Sequence, residues 1–148
     1  MAVLRTIHTG LTVRNLAQML AFFGQVLGAE AGEIRQIPVG ETLGHITGVP
    51  GAQASVCMVS LPGGHVVELL QYDAPASATT VAPRPCDIGA AHIALQVDSV
   101  AKTANLAQAF GFAIAGQMQF LPGGPFAGQW VAYVRDTYGF TLELIGGE

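Results

Sequence analysis

Residues 7–16, IHTGLTVRNL, and residues 91–100, AHIALQVDSV, are two versions of one pattern. With His8 set over His92, both read histidine, any residue, small residue, Leu, polar residue, Val, charged residue, cap residue, apolar residue. The copies also end alike. GHVVELL (64–70) overlays GFTLELI (139–145) and places Glu68 on Glu143. A chain that repeats itself builds each copy from the same supersecondary unit, which narrows the available folds more than any compositional statistic.

Between those ends each copy predicts the same elements. Asn15 and Ser99 are helix-capping residues, and Gln18 stands where a capping-box partner belongs. Leu16, Met19, Leu20, Phe23 and Leu27 recur at helical spacing until Gly28; Val100, Ala104, Leu106 and Phe110 do so until Gly111. Strand-like runs follow: EIRQIPV (33–39) and AQASVCMVSL (52–61) in the first copy, FAIAGQMQF (112–120) and QWVAYVRD (129–136) in the second. LPGGH and RDTYGF suit tight turns before the last strands. The expected fold class is therefore α+β, with two βαβββ modules over residues 1–73 and 91–148 joined by a Pro-, Ala- and Thr-rich linker over 74–90.

Composition excludes several partners. The chain has 148 residues, 51% of them hydrophobic, enough for a packed core. Its six Lys and Arg are scattered and the net charge is −4, so no basic stripe awaits nucleic acid. No apolar run approaches a membrane span, and no signal-peptide pattern stands at the N-terminus, so a cytoplasmic protein with no membrane partner is expected. Cys57 and Cys86 follow no metal or redox spacing and are expected as reduced packing residues.

Side chains alternate along a strand, so His8, Gly10 and Thr12 share one face, opposite Ile7, Thr9, Leu11 and Val13. In the second copy His92, Ala94 and Gln96 share the equivalent face. Glu68 lies with Val66, Leu70 and Tyr72; Glu143 lies with Thr141 and Ile145. The apolar faces are expected to pack on the helices, which leaves both histidines and both glutamates on the other side. Two imidazoles and two carboxylates suit a divalent metal, whether Zn, Ni, Mn, Co or Fe(II). A dication with two Glu and two neutral His is locally neutral, which offsets the cost of holding two carboxylates among apolar neighbours. Six-coordinate geometry leaves two adjacent positions for water or for two neighbouring substrate oxygens. Taken singly, each histidine would be a hydrogen-bonded strand residue and each glutamate a solvated one. It is their recurrence at equivalent positions that favours ligation.

Paired βαβββ modules with His8 and His92 in the first strands and Glu68 and Glu143 in the last resemble the vicinal oxygen chelate superfamily. That group includes glyoxalase I, methylmalonyl-CoA epimerase, extradiol dioxygenases, and bleomycin and fosfomycin resistance proteins. The resemblance covers nearly the whole chain and implies a partly open, barrel-like mixed sheet around a metal held by His8, Glu68, His92 and Glu143. The departures are informative. Bacterial glyoxalase I usually places an arginine for glutathione where this chain has Thr12, and an asparagine where it has Tyr72. Methylmalonyl-CoA epimerases commonly have Gln at the position of Glu68, and extradiol dioxygenases use two His and one Glu.

The leading expectation is a metal-dependent isomerase, epimerase or lyase acting on a small substrate with vicinal oxygens through an enediolate. Glu143 and Glu68 are the candidate general bases. Thr12, Tyr72 and Gln96 are the candidate substrate-contacting residues, with Gly10 and Ala94 leaving space beside the metal. The alternatives are an Fe(II)-dependent ring-cleaving dioxygenase and a non-catalytic small-molecule or antibiotic-binding protein. His45 is read as a solvated loop residue, and His65 is excluded because it faces away from Glu68. Trp130 and Tyr133 are read as core, FLPGGPFAGQ (120–129) as a candidate mobile loop. A homodimer is expected, because open sheets leave edges to protect.

Overall fold

The computed structural model describes residues 2–37, 41–76 and 79–148. Its internal contacts divide the chain into two compact units, Met1–Thr79 and Thr80–Glu148. Each carries an open, mixed five-stranded sheet with a helix on one face, so the class is α+β.

In the first unit, β1 (Thr9–Thr12) runs parallel to β5 (Val66–Ala74), which pairs antiparallel with β4 (Gln53–Ser60). The short strands β2 (Glu30–Ala31) and β3 (Arg35–Gln36) both lie against β4. Helix α1 (Leu16–Leu27) starts where the Asn15 side chain accepts the Gln18 N–H at 2.9 Å and ends at Gly28 in the left-handed conformation. Its buried residues are Leu16, Met19, Phe22 and Phe23, and it packs on β4 and β5 over the fully buried Val59, Val67 and Leu69. Phe22, which the periodicity omits, is as deeply buried as Phe23, while Leu20 is only half-buried. Each such phenyl ring contributes roughly 1.5–3 kcal/mol through burial. Ile7, expected on the core face of the first strand, is exposed and precedes β1, which begins at Thr9.

The second unit repeats the plan. β6 (His92–Ser99) is parallel to β10 (Thr141–Gly147), which is antiparallel to β9 (Trp130–Arg135), with β7 (Ala113–Ile114) and β8 (Gln119–Phe120) on β9. Helix α3 (Val100–Gln108) is capped by the Ser99 hydroxyl, which accepts the Lys102 N–H at 3.1 Å. It stops before Phe110, and Leu106 is exposed. The chain turns through Gly111 at φ +85 so that Phe112 enters the core instead. Asp136 closes the β9–β10 turn by accepting the Tyr138 and Phe140 N–H groups, each at 2.9 Å. Burial pushes its carboxyl up, and those backbone bonds partly offset the rise.

Four further expectations need correction. The strand expected over 112–120 is two short pieces, β7 and β8, and of the strand expected over 33–39 only β3 forms among the described residues, with β2 lying before it. Pro38 and Val39 of the first such run lie outside the described residues, as do Ser77 and Ala78 of the expected linker. The segment read as a loop around His45 is helix α2 (Glu41–Thr47), whose Leu43 packs with Ala52 and Ala54 against Ile37, Val49, Val56 and Tyr72. Residues 120–129 form a closed, hydrogen-bonded turn rather than a free flap: the Leu121 N–H donates to the Gln129 carbonyl and the Gly128 N–H to the Leu121 carbonyl, both at 2.8 Å. Cys57 is buried, but Cys86 is exposed and is no packing residue. Among the described residues no helix is long and apolar enough to cross a membrane.

The β6–β10 pairing is close at its C-terminal end, where a Cβ on Gly146 would fall on the Val97 carbonyl oxygen. Gly146→Ala should therefore cost about 2 kcal/mol or more in a denaturant titration. Gly10→Ala should stay within about 0.5 kcal/mol, because its Cβ would meet only Leu70 Cδ1 at 3.8 Å and Glu68 Oε2 at 3.9 Å.

Candidate functional site

The strand registers decide where the candidate ligands stand. In the first unit Gly10 is opposite Glu68 across the β1–β5 ladder, and Met58 is opposite Glu68 across β4–β5. In the second unit Ala94 and Tyr133 hold those two places around Glu143. Residues directly opposite in a ladder share a face, so each glutamate sits in the middle of a short row on the face away from the helix. The small residue beside it, Gly10 or Ala94, leaves its carboxylate room.

The histidines approach from the neighbouring row. His8 Nε2 lies 3.3 Å from Glu68 Oε2, and His92 Nε2 lies 3.3 Å from Glu143 Oε2. Two copies of the repeat thus make the same pair to the same distance. At 3.3 Å the contact is longer than a good N–H···O bond of about 2.7–3.2 Å, so neither pair is a well-formed hydrogen bond. The separation does suit two donors on one ion. With bonds of about 2.1 Å, donors at a right angle stand about 3.0 Å apart, and at the tetrahedral angle about 3.4 Å apart. His8 Nδ1 is buried without a hydrogen-bond partner, so the ring as it stands uses neither nitrogen fully.

Solvent still reaches these groups. The glutamate side chains are 21% and 23% exposed and the imidazoles 32% and 42%, so desolvation alone does not force the carboxylates to find a counter-charge. Among the described residues no group of three or more His, Cys, Asp or Glu side chains is gathered to hold a metal ion, and each unit presents one nitrogen–oxygen pair.

The other candidates divide. Thr12 and Gln96 are exposed and lie one step along the same faces, opposite Leu70 and Ile145. Tyr72 is on the same face as Glu68 but packs with the Leu43 cluster beneath α2. His45 is exposed on α2, 3.7 Å from Glu41. His65 contacts the Thr9 hydroxyl at 3.2 Å on the opposite face from Glu68.

Two aromatic residues read as core are elsewhere. Trp130 is half-buried and meets the exposed Phe120 edge-on, with ring centroids 5.6 Å apart, at the β8–β9 pairing. Tyr133 stands on the ligand face, its ring centroid 5.0 Å from that of His92 and its hydroxyl 3.4 Å from His92 Nε2. Burial pushes its phenol up, and the Glu143 charge adds to the rise. The repeat itself held the signal for Tyr133. Met58 precedes Glu68 by the same interval as Tyr133 precedes Glu143, and both intervals span a hairpin that sets the two residues opposite one another.

Residues 7–144 match the family model of the Glyoxalase/Bleomycin resistance protein/Dioxygenase superfamily. A protein of Actinomyces sp. named 2-epi-5-epi-valiolone epimerase is 33% identical over 141 residues, which cover 93% of this chain and 76% of that protein. Among solved structures, the glyoxalase family protein from Bacillus cereus has a TM-score of 0.80 at 19% identity, covering 98% of this chain and 95% of its own. The genomically encoded fosfomycin resistance protein of Listeria monocytogenes, solved with Mn(II) and sulfate, has a TM-score of 0.57 at 17% identity, covering 99% and 95%. At these identities the two structures show a shared fold.

The Tyr133 environment can be checked in the metal-free protein. A raised phenol keeps its proton to higher pH, so the phenolate absorbance lost in Tyr133→Phe should titrate above the ordinary value of about 10. Glu143→Gln removes one of the two causes and should move that midpoint down. A midpoint that does not respond to the substitution would place the carboxylate away from the ring.

Proposed function

The chain belongs to the Glyoxalase/Bleomycin resistance protein/Dioxygenase superfamily, and from that membership we propose that it is a metal-dependent epimerase or isomerase of a small hydroxy ketone with adjacent oxygens. His8 with Glu68, and His92 with Glu143, are the donor pairs that would hold a divalent cation. The observation that carries this reading is the duplicated pair: nitrogen and carboxylate oxygen 3.3 Å apart, in both units, on equivalent residues. The epimerase name of the 33% identical relative favours inversion at carbon over other chemistries of the superfamily. The same reading includes a homodimer, since β1 and β6 end their sheets with one hydrogen-bonding side unpaired among the described residues.

When bound, the cation supplies an electrophile for the two adjacent oxygens and offsets negative charge that builds on them. The remaining work falls to the chain. A carboxylate, that of Glu143, takes the proton from the carbon that bears the hydroxyl. The electron pair of the broken C–H bond becomes the new C–C π bond, and the carbonyl pair moves onto oxygen, giving an enediolate. Glu68 is our candidate for the second acid–base group: in its protonated form it gives a proton to the other face of that carbon, then regains one from water while Glu143 gives up the proton it took. Nothing is oxidised or reduced, and the product differs from the substrate in configuration only. The open positions beside Gly10 and Ala94 leave each carboxylate free to turn between holding the cation and reaching a proton. Thr12 and Gln96 line the same faces and contact the substrate's hydroxyl groups.

The test is incubation of the protein with 2-epi-5-epi-valiolone in deuterium oxide, with NMR detection of a second epimer carrying deuterium at the inverted carbon. Glu143→Gln should lower the rate by about 10²–10⁴-fold, and removal of metal by a chelator should abolish turnover. Metal analysis should find a bound divalent ion, lost on His8→Ala or His92→Ala. Turnover that survives both the chelator and Glu143→Gln would overturn the proposal. Oxygen consumption with a catechol would replace it by ring-cleaving chemistry. Stoichiometric ligand binding without exchange of any C–H would replace it by sequestration.

A further inference from the structure

Arg135 is the one Lys or Arg residue that is half-buried; the others are exposed. A cation taken partly out of water ordinarily brings a carboxylate with it. Among the described residues none stands within ion-pair distance of Arg135. Asp87, which feels its charge from farther off, is clasped by Arg84 at 2.7 Å. Arg135 is opposite Thr141 in the β9–β10 ladder, at the next position on the face that carries Tyr133 and Glu143. Its Nε donates to the Thr141 hydroxyl at 3.1 Å, which lays the guanidinium toward β10, and an Nη donates to the Pro83 carbonyl. The remaining N–H groups of the fork have no protein acceptor among the described residues. On the β7 side Arg135 borders an open cleft of about 270 Å³, lined also by Ala113, Ala115 and Thr137, which leaves room for a small ligand.

The segment that supplies the Pro83 carbonyl is seated on the same end of the sheet. A Cβ on Gly139 would stand 2.6 Å from Ala82 Cα, so Ala82 lies directly on that glycine. Ala82 is held at φ 45, a left-handed conformation that a residue with a Cβ adopts only at a cost. A strained seat and a neutral carbonyl therefore hold the segment on a cation that has no counter-ion. From this we infer that Arg135 is an oxyanion-binding residue masked by Pro83: the phosphate or carboxylate group of a small ligand displaces the Pro83 carbonyl from the guanidinium, and residues 82–87 lift away together. An oxyanion accepts parallel bonds from the fork, and such charge-assisted bonds are stronger than a bond to a neutral carbonyl. Lifting also frees Ala82 from its left-handed conformation. The Arg84 N–H and guanidinium both donate to Asp87, each at 2.7 Å, so the turn they close moves as one piece. Every residue involved belongs to the second unit, and no metal ion is needed.

The test uses the full chain kept metal-free by a chelator. Inorganic phosphate and acetate are titrated in turn while NMR follows the backbone amide signals of residues 135 and 141. A fluorophore on the exposed Cys86 reports the segment through its anisotropy; Cys57 is buried and stays unlabelled. At least one anion should bind saturably, with the anisotropy falling over the same concentration range. Tighter binding of phosphate assigns the site to phosphate esters, and tighter binding of acetate assigns it to carboxylates. Arg135→Gln should weaken binding about ten-fold or more, the contribution of hydrogen bonds to a charged group. Ala82→Val makes the left-handed conformation costlier still, and Gly139→Ala puts a methyl group where Ala82 sits. Each should release the segment and tighten binding about three-fold or more, because the guanidinium no longer has to be uncovered. No saturable shift with either anion, in the wild type and in both releasing variants, would overturn the site. Binding unchanged in Arg135→Gln would remove Arg135 from it. Equal affinity in the wild type and in a variant whose Cys86 label is already loose would overturn the masking by Pro83.

Discussion

The parallel pairing of the first and last strand in each unit is the constraint on which the rest depends. It is a long-range pairing across a helix and the intervening strands, and it brings His8, just before β1, to Glu68 in β5, and His92, at the start of β6, to Glu143 in β10. The register places Gly10 beside Glu68 and Ala94 beside Glu143. A slip of one residue would turn every side chain of the moving strand to the other face, burying a carboxylate against α1 or α3 and exposing Val67, Leu69, Leu142 or Leu144. Those four residues are almost fully buried. The hydrophobic pattern that anchors the core therefore also fixes the ligand face, and the same packing energy holds both.

Much of this was legible in the sequence because a duplication carries its own control. One His in a strand says little, but His8 and His92 at equivalent positions, with Glu68 and Glu143 likewise, identify a face. The helix caps at Asn15 and Ser99 were legible for a local reason, since a side chain that accepts a backbone N–H three residues on needs no tertiary contact to be recognised. What was not legible depends on tertiary competition. Whether Phe110 or Phe112 enters the core is decided by how the chain leaves α3, and the helical spacing of Leu106 counts for nothing where no second layer covers it. Helix α2 is stabilised by Leu43 docking on Ala52 and Ala54 and by no strong periodic pattern of its own. Tyr133 was misplaced because an aromatic residue in a strand is ordinarily assigned to the core on composition, and only the cross-strand register reveals which residues it faces.

The electrostatics are milder than a carboxylate among valines and leucines suggests. Both glutamates keep contact with solvent, and their histidine neighbours stand slightly beyond good hydrogen-bond range. Each pair is thus neither a fully satisfied salt bridge nor an unpaired buried charge. Such a pair can change partners at low cost, since breaking a well-made buried ion pair would cost several kcal/mol while loosening a half-exposed one costs far less. The small residues beside each glutamate, Gly10 and Ala94, leave its carboxylate space to turn.

The two units repeat some positions and not others. Each His–Glu pair recurs with the same 3.3 Å separation. The positions flanking the pairs do not all recur. Tyr133 and Met58 mark where the halves have parted, one supplying a proton donor and the other an apolar surface, and Arg135 and Ser60 differ at the next place along the same strands. The division is physical: each His–Glu pair and the small residue beside its glutamate repeat, whereas the residue opposite that glutamate on the antiparallel side does not.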